Sequence, residues 1–170
     1  MVGYSMGALI TAKLLESHPK RLITATLGGH SRLVKNEANL KFFDELGTSL
    51  EQGKGFGPLI AALTPPGTPP ASAEQIQGIN ARLSSTNDVL ALAAVARGFA
   101  GLSVNDDKLV KTKVPVQALI GSADPLKMGV DELAAKMPKL KVTVINGATH
   151  VTAGARPEFA KAVKEFIAAK

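Results

Sequence analysis

Ser5, Asp124 and His150 are the residue types that can together transfer an acyl group, and each stands just beyond an apolar stretch. Ser5 lies in Gly3-Tyr4-Ser5-Met6-Gly7, which fits Gly-x-Ser-x-Gly, a sharp strand-to-helix turn that presents a serine hydroxyl. A serine hydroxyl is a weak nucleophile until a base takes its proton, and a neutral imidazole such as that of His150 does this near pH 7. A carboxylate such as Asp124 would fix the imidazole tautomer and stabilise the cation that forms. The Met6 amide, next after the serine, is expected to face the developing oxyanion. Gly3 and Gly7 are expected to leave room where strand and helix pass closely.

Each signal is weak alone. "GSADP" at 121–125 reads as an ordinary loop in which Asp124 caps a turn, and "GATH" at 147–150 as a surface histidine. Their order and placement bind them together. Asp124 follows Ser5 by 119 residues and His150 follows Asp124 by 26, enough for one helix and one strand. In an open α/β sheet, functional groups collect beyond the carboxyl ends of the strands.

The elements that must position them can be read from periodicity. Leu9, Ile10, Ala12, Leu14 and Leu15 predict a broadly buried helix from Met6 to about Ser17, ended by "HPKR" because Pro19 cannot continue the ladder. "RLITATLGG", "VPVQALIGSAD" at 114–124 and "LKVTVINGATH" at 140–150 read as buried strands, each stopped by glycine. "VDELAAKMPKL" predicts a helix, as does "RPEFAKAVKEFIAAK", where Phe159, Val163, Phe166 and Ile167 share a face and Pro157 suits the first turn. This alternation calls for a parallel sheet between helical layers, an α/β fold. Residues 36–108 break the rhythm. Their helical patterns, interrupted by "LTPPGTPPAS", predict a helical cap inserted between residues 1–35 and 109–170. Its residues Leu59, Ile60, Leu63, Leu90, Leu92, Phe99 and Leu102 suit either an apolar pocket or the cap's own core.

Composition narrows the function classes. The 170 residues are 45% hydrophobic and 20% charged, which suits a packed domain rather than a disordered chain. There is no cysteine, which excludes disulfides, thiolate metal sites and cysteine nucleophiles. The net charge is +6, but the densest basic run, "KLVKTK" at 108–113, holds only three lysines. Aromatics are 4% with no tryptophan, so a nucleic-acid stacking platform is not expected. No apolar run approaches the ~20 residues that span a bilayer, and the start is not leader-like; these absences decide little about location, for which the cytoplasm is the default expectation. No cofactor or metal is expected, since three scattered histidines lack ligand spacing.

Other polar residues have simpler readings. His18 reads as a solvated group at a helix C-terminus and His30 as a loop histidine able to line a pocket. Asp106 and Asp107 look like helix-capping residues, and Asp44 and Glu45 like the solvated face of a cap helix.

The segments "VGYSMGALITAKLLESHP", "VPVQALIGSADPL" and "INGATHVTAGARPEFAKAVKEFI" resemble the nucleophile elbow, acid loop and histidine loop of the α/β-hydrolase superfamily. The likeness covers 1–33 and 110–170. It implies Ser5 as nucleophile, Asp124 as acid, His150 as base, Met6 as an oxyanion-hole amide, and a small acyl substrate such as a carboxylic ester. Serine at the elbow departs from the branches that carry aspartate there. Cofactor-free perhydrolase or haloperoxidase-like chemistry uses the same triad and stays open.

The family also places about five strands and a second oxyanion amide ahead of the serine, roughly a hundred residues at about 30 per βαβ unit. The resemblance therefore implies the C-terminal half of the sheet: three strands, with Met1 and Val2 as a stump of a fourth. An unpaired apolar edge along "LITATLGG" is then expected, inviting self-association. A non-catalytic remnant, or half of a protein that needs a partner, is the competing expectation.

Overall fold

The computed structural model describes residues 1–169, so the last residue of the expected 109–170 segment lies outside it. The chain divides into two compact units, Met1–Val34 with Ser103–Lys170, and Lys35–Leu102.

The first unit is built on a parallel four-stranded sheet in the order β1-β2-β3-β4: Val2–Tyr4, Ala25–Gly28, Val116–Gly121 and Lys141–Ile145. Register pairs Gly3 with Leu27, Leu27 with Ala118 and Ala118 with Val142, so the strands ascend together and end at one edge. Two expectations are corrected here. Residues 2–4 are a true strand rather than a stump, and "LITATLGG" is not an edge, because β2 pairs with both β1 and β3. The edges fall on β1 and β4. Only Ala25–Gly28 of that stretch is strand: a 3-10 turn over Pro19–Arg21 delays it, and Ile23 stands 85% exposed.

Why β3 is a continuous apolar run is plain from its two faces. Val116, Ala118 and Ile120 pack with Ala8, Ala12 and Leu15 of helix α1 (Met6–Ser17), and with Val130 and Leu133 of α7 (Lys127–Lys136). Leu119, from the opposite face, packs with Phe159 and Ala162 of α9 (Pro157–Ala168). Alternating side chains are thus buried on both sides, as helices above and below a parallel sheet require. Gln117 is buried among them and donates from Nε2 to Thr26 Oγ1 at 3.0 Å. The expected faces are partly displaced. Ile10 of α1 is 36% exposed and Ile167 of α9 is 50% exposed.

The expected boundary at 108 falls instead at 102. Leu33 and Ser103 form a parallel bridge, and Val104 and Leu109 enter the core beside α1 and α7. The helix α6 (Asp106–Leu109) is capped by Asn105, whose side chain accepts from the Lys108 N–H, and not by Asp106 or Asp107. Asp106 has another task. It takes a fork-to-fork pair from buried Arg32 at 2.8 and 3.0 Å, and Lys136 adds a third contact at 2.6 Å. These hydrogen bonds, opposed by some desolvation, hold the Asp106 carboxyl down to about 2 from its ordinary 3.8. A depressed folded-state value means stability that is present above the ordinary carboxyl range and lost as pH falls through the folded value. Urea midpoints measured from pH 6 downward are expected to fall most steeply between about 4 and 2. Asp106→Asn should be less stable at pH 6 and flatter over that window.

The second unit holds α2 (Glu37–Glu51), α3 (Gly57–Ala62), α4 (Ala73–Thr86) and α5 (Val89–Gly98). Asn36, Ser72 and Asp88 cap α2, α4 and α5, each accepting from a first-turn N–H. Leu46, Leu50, Phe56, Ala93 and Ala96 form its core, with Leu59, Ile60 and Leu92 packed against them. Leu90, in contrast, is 66% exposed. Asp44 and Glu51 share Arg97, so Asp44 is exposed but not idle. Glu45 lies 3.8 Å from Lys41 on the surface of α2.

Candidate active site

Ser5 joins β1 to α1 with φ 53° and ψ −114°, and it alone among the described non-glycine residues has a positive φ. Such a backbone costs of order 1–3 kcal/mol and persists only where its surroundings over-determine it. Here the Ser5 N–H donates to the Gly28 carbonyl at 2.8 Å, and the Ser5 carbonyl accepts from Ala8 and Leu9 at 3.0 and 3.3 Å. The turn also needs Gly3, where a Cβ would lie 2.0 Å from the Gly7 carbonyl oxygen. Gly7 departs from expectation: a Cβ there would meet nothing within 4 Å.

His150 opens a four-residue helix, α8 (His150–Ala153), beyond β4. Gly147, at φ 66°, turns the chain after the strand, and its N–H donates to Ser122 Oγ at 2.8 Å. The Ser122 amide donates to the Ile145 carbonyl and the Ala123 amide to the Ala148 carbonyl, both at 3.0 Å. The loops bearing Asp124 and His150 are therefore laced to each other. Gly121 permits this approach, since a Cβ there would sit 2.2 Å from the Ala148 oxygen.

The three residues singled out in the sequence come together as one hydrogen-bonded line. Ser5 Oγ is 2.9 Å from His150 Nε2, and His150 Nδ1 is 2.9 Å from Asp124 Oδ2. The Asp124 side chain is fully buried and its other oxygen accepts the Leu126 N–H at 2.9 Å. Asp124 thus both caps its turn and serves His150. The Met6 N–H, first in α1, has no protein partner among the described residues.

Two further residues enter the site. The Tyr4 hydroxyl donates to the His150 carbonyl, and its ring packs 5.5 Å from the imidazole and 5.6 Å from Phe159. Burial, followed by the nearby Asp124 charge, pushes the phenol up to about 12, so it remains a donor. In the Gly-x-Ser-x-Gly pattern Tyr4 stands at an unspecified position. The signal was Gly28-Gly29, where added Cβ atoms would lie 2.8 and 2.7 Å from the Tyr4 ring. Tyr4→Phe keeps the ring and removes one hydrogen bond. About 1 kcal/mol of stability should go with it, read as a urea midpoint shift at unchanged slope.

His30 is the other addition, closer to the site than a plain loop reading suggests. Burial first, then the His150 imidazole, lowers its pKa to about 4. Its Nδ1 accepts the Ser31 N–H at 2.9 Å, which leaves the hydrogen on Nε2. His18 stays apart, exposed beside Ser17 at the end of α1. Among the described residues no group of three or more acidic or histidine side chains is placed to hold a metal ion, and no helix is long and apolar enough to cross a membrane.

No protein-family model matches the chain, and no curated protein matches it in sequence. Solved structures do. A thermophilic esterase from Thermogutta terrifontis, solved with malate bound, is 22% identical, TM-score 0.75, over 98% of this chain and 63% of its own. A carboxylesterase of the thaumarchaeon Nitrososphaera gargenis is 16% identical, TM-score 0.73, over 98% of this chain and 63% of its own. MenH from S. aureus is 19% identical, TM-score 0.72, over 98% and 66%. The chain therefore spans under two thirds of the length of these structures. Sheet order, strand-end loops and these likenesses together place the chain in the α/β-hydrolase fold, of which it carries a part.

Proposed function

We propose that the protein is a serine hydrolase acting on a carboxylic ester through an acyl-enzyme on Ser5. The observation that carries this reading is the line Ser5 Oγ–His150 Nε2–His150 Nδ1–Asp124 Oδ2, with both hydrogen bonds at 2.9 Å. Ser5 Oγ would attack the ester carbonyl carbon as its proton passes to His150 Nε2. Negative charge would gather on the carbonyl oxygen, against the free Met6 N–H. Collapse would break the carbon–oxygen bond to the alcohol, which leaves with the proton from Nε2. Water, deprotonated by the same nitrogen, would then attack the acyl carbon and return Ser5. Asp124 holds the imidazole and balances its charge throughout.

The test is labelling of the purified chain with a fluorophosphonate probe. Labelling of Ser5 that disappears in Ser5→Ala supports the reading, and absence of labelling from folded protein sinks it. Peroxide-dependent turnover in place of hydrolysis would move the assignment to perhydrolase-like chemistry on the same residues.

A second reading is favoured by one observation: β1, which carries Ser5, pairs only with β2. In that reading the triad becomes competent once another polypeptide segment adds to the open edge of β1. Labelling of Ser5 in a monomer, shown by native mass spectrometry, would exclude it.

A further inference from the structure

The opposite end of the sheet from Ser5 carries a groove that the reaction does not use. Its volume is about 470 Å³, within the range of small-molecule sites, and it runs between the end of α1, the 3-10 turn and the segment entering β3. The floor is apolar: Leu15, Leu22, Ile23 and Val114 line it. Ile23, 85% exposed, is the most solvent-exposed large hydrophobic residue described. Pro19 and Pro115 restrict the backbone of its two walls, so the shape is largely preformed.

The rim is mainly basic, with one acid. Four lysines line it, Lys20, Lys108, Lys111 and Lys113, and none of them forms an ion pair among the described residues. The single acid there, Glu16, is already engaged by Lys13 at 2.7 Å and by the Asn105 amide at 2.9 Å. Those bonds hold its carboxyl below the ordinary range, so it stays charged but satisfied. Lys127 and Lys136, in contrast, are paired, with Asp131 and Asp106. Four cations against one acid beside an apolar wall leave a net positive field at the rim. The densest lysine run of the sequence, at 108–113, therefore has a shape to act on.

We infer that this groove binds a single-chain amphiphilic anion, an alkyl carboxylate whose chain lies along Leu22, Ile23 and Val114 and whose head meets the lysines. A nucleic acid is disfavoured because no aromatic side chain lines the groove for bases to stack on. The inference stands independently of the chemistry at Ser5.

The experiment titrates the full chain, labelled with ¹⁵N, with decanoate below its micellar concentration and follows amide shifts. Saturable shifts at Leu22–Ala25 and Lys111–Val116 are expected, weakened at least tenfold in the Lys108→Gln, Lys111→Gln, Lys113→Gln triple variant. These lysines are exposed, so the variant should fold, and its unchanged amide spectrum checks this. Binding should also weaken in 0.5 M salt and be absent for decanol. Shifts confined to the surroundings of Ser5 and His150 would overturn the inference. So would equal binding of decanol, no saturation at millimolar ligand, or binding of phosphatidylglycerol vesicles without binding of decanoate.

Discussion

Asp124→Asn should slow ester hydrolysis, and phosphonylation of Ser5, by about 10⁴-fold while leaving the fold intact. The reason is a tautomer. Asp124 Oδ2 accepts from His150 Nδ1, so the lone pair lies on Nε2, 2.9 Å from Ser5 Oγ. An asparagine of the same shape would retain acceptance of the Leu126 N–H through one oxygen. Its amide NH₂ would then face Nδ1 and drive the ring hydrogen to Nε2, where no lone pair remains to take the serine proton. Rates with p-nitrophenyl butyrate and a fluorophosphonate, beside thermal melts, test this. A loss under tenfold at an unchanged Tm would remove Asp124 from the proposed mechanism.

Gly3→Ala should cost about 3 kcal/mol or more, whereas Gly7→Ala should be neutral or slightly stabilising. At position 3 the new methyl would be driven to 2.0 Å from the Gly7 oxygen, 2.2 Å from its carbon and 2.6 Å from Thr11 Oγ1. The first two are backbone of the first turn of α1, which cannot retreat by rotating a side chain. Thr11 is itself buried and already donates to that same Gly7 oxygen at 2.8 Å. Position 7 is helical and open, so alanine meets nothing there and gains up to about 1 kcal/mol of helix propensity. Urea unfolding of the two variants separates these roles. Equal destabilisation would mean that the turn is not held by the approach of β1 to α1.

What was legible in the sequence was periodic or punctuated. Helix α1 is legible because Pro19 ends it near Ser17, and β2 and β3 because buried apolar runs stop at glycine, whereas β4, read as buried, buries only Ile145. The three chemistry-bearing residues were visible as residue types at strand ends. What escaped had non-local causes. Asp106 looked like a cap because a run of aspartates before a helix usually is one, yet its partner Arg32 lies 74 residues away. Tyr4 looked interchangeable because its hydrogen bond reaches 146 residues along the chain to the His150 carbonyl. His30 was a loop residue in one dimension and a neighbour of His150 in three. The edge was assigned to the wrong strand because pairing order is not a property of any one segment, and a three-residue strand carries almost no period.

The edge position of β1 has a consequence for how activity would be lost. The strand that carries the serine is three residues long and is held by β2 alone, whereas β3 is paired along both sides. Its backbone also stores the strain at Ser5, which local opening relieves. Opening of this strand should therefore need less free energy than opening of β3, and its amides should exchange with solvent hydrogen sooner. Inactivation would precede global unfolding, so that on mild heating the protein falls silent with most of its circular dichroism intact.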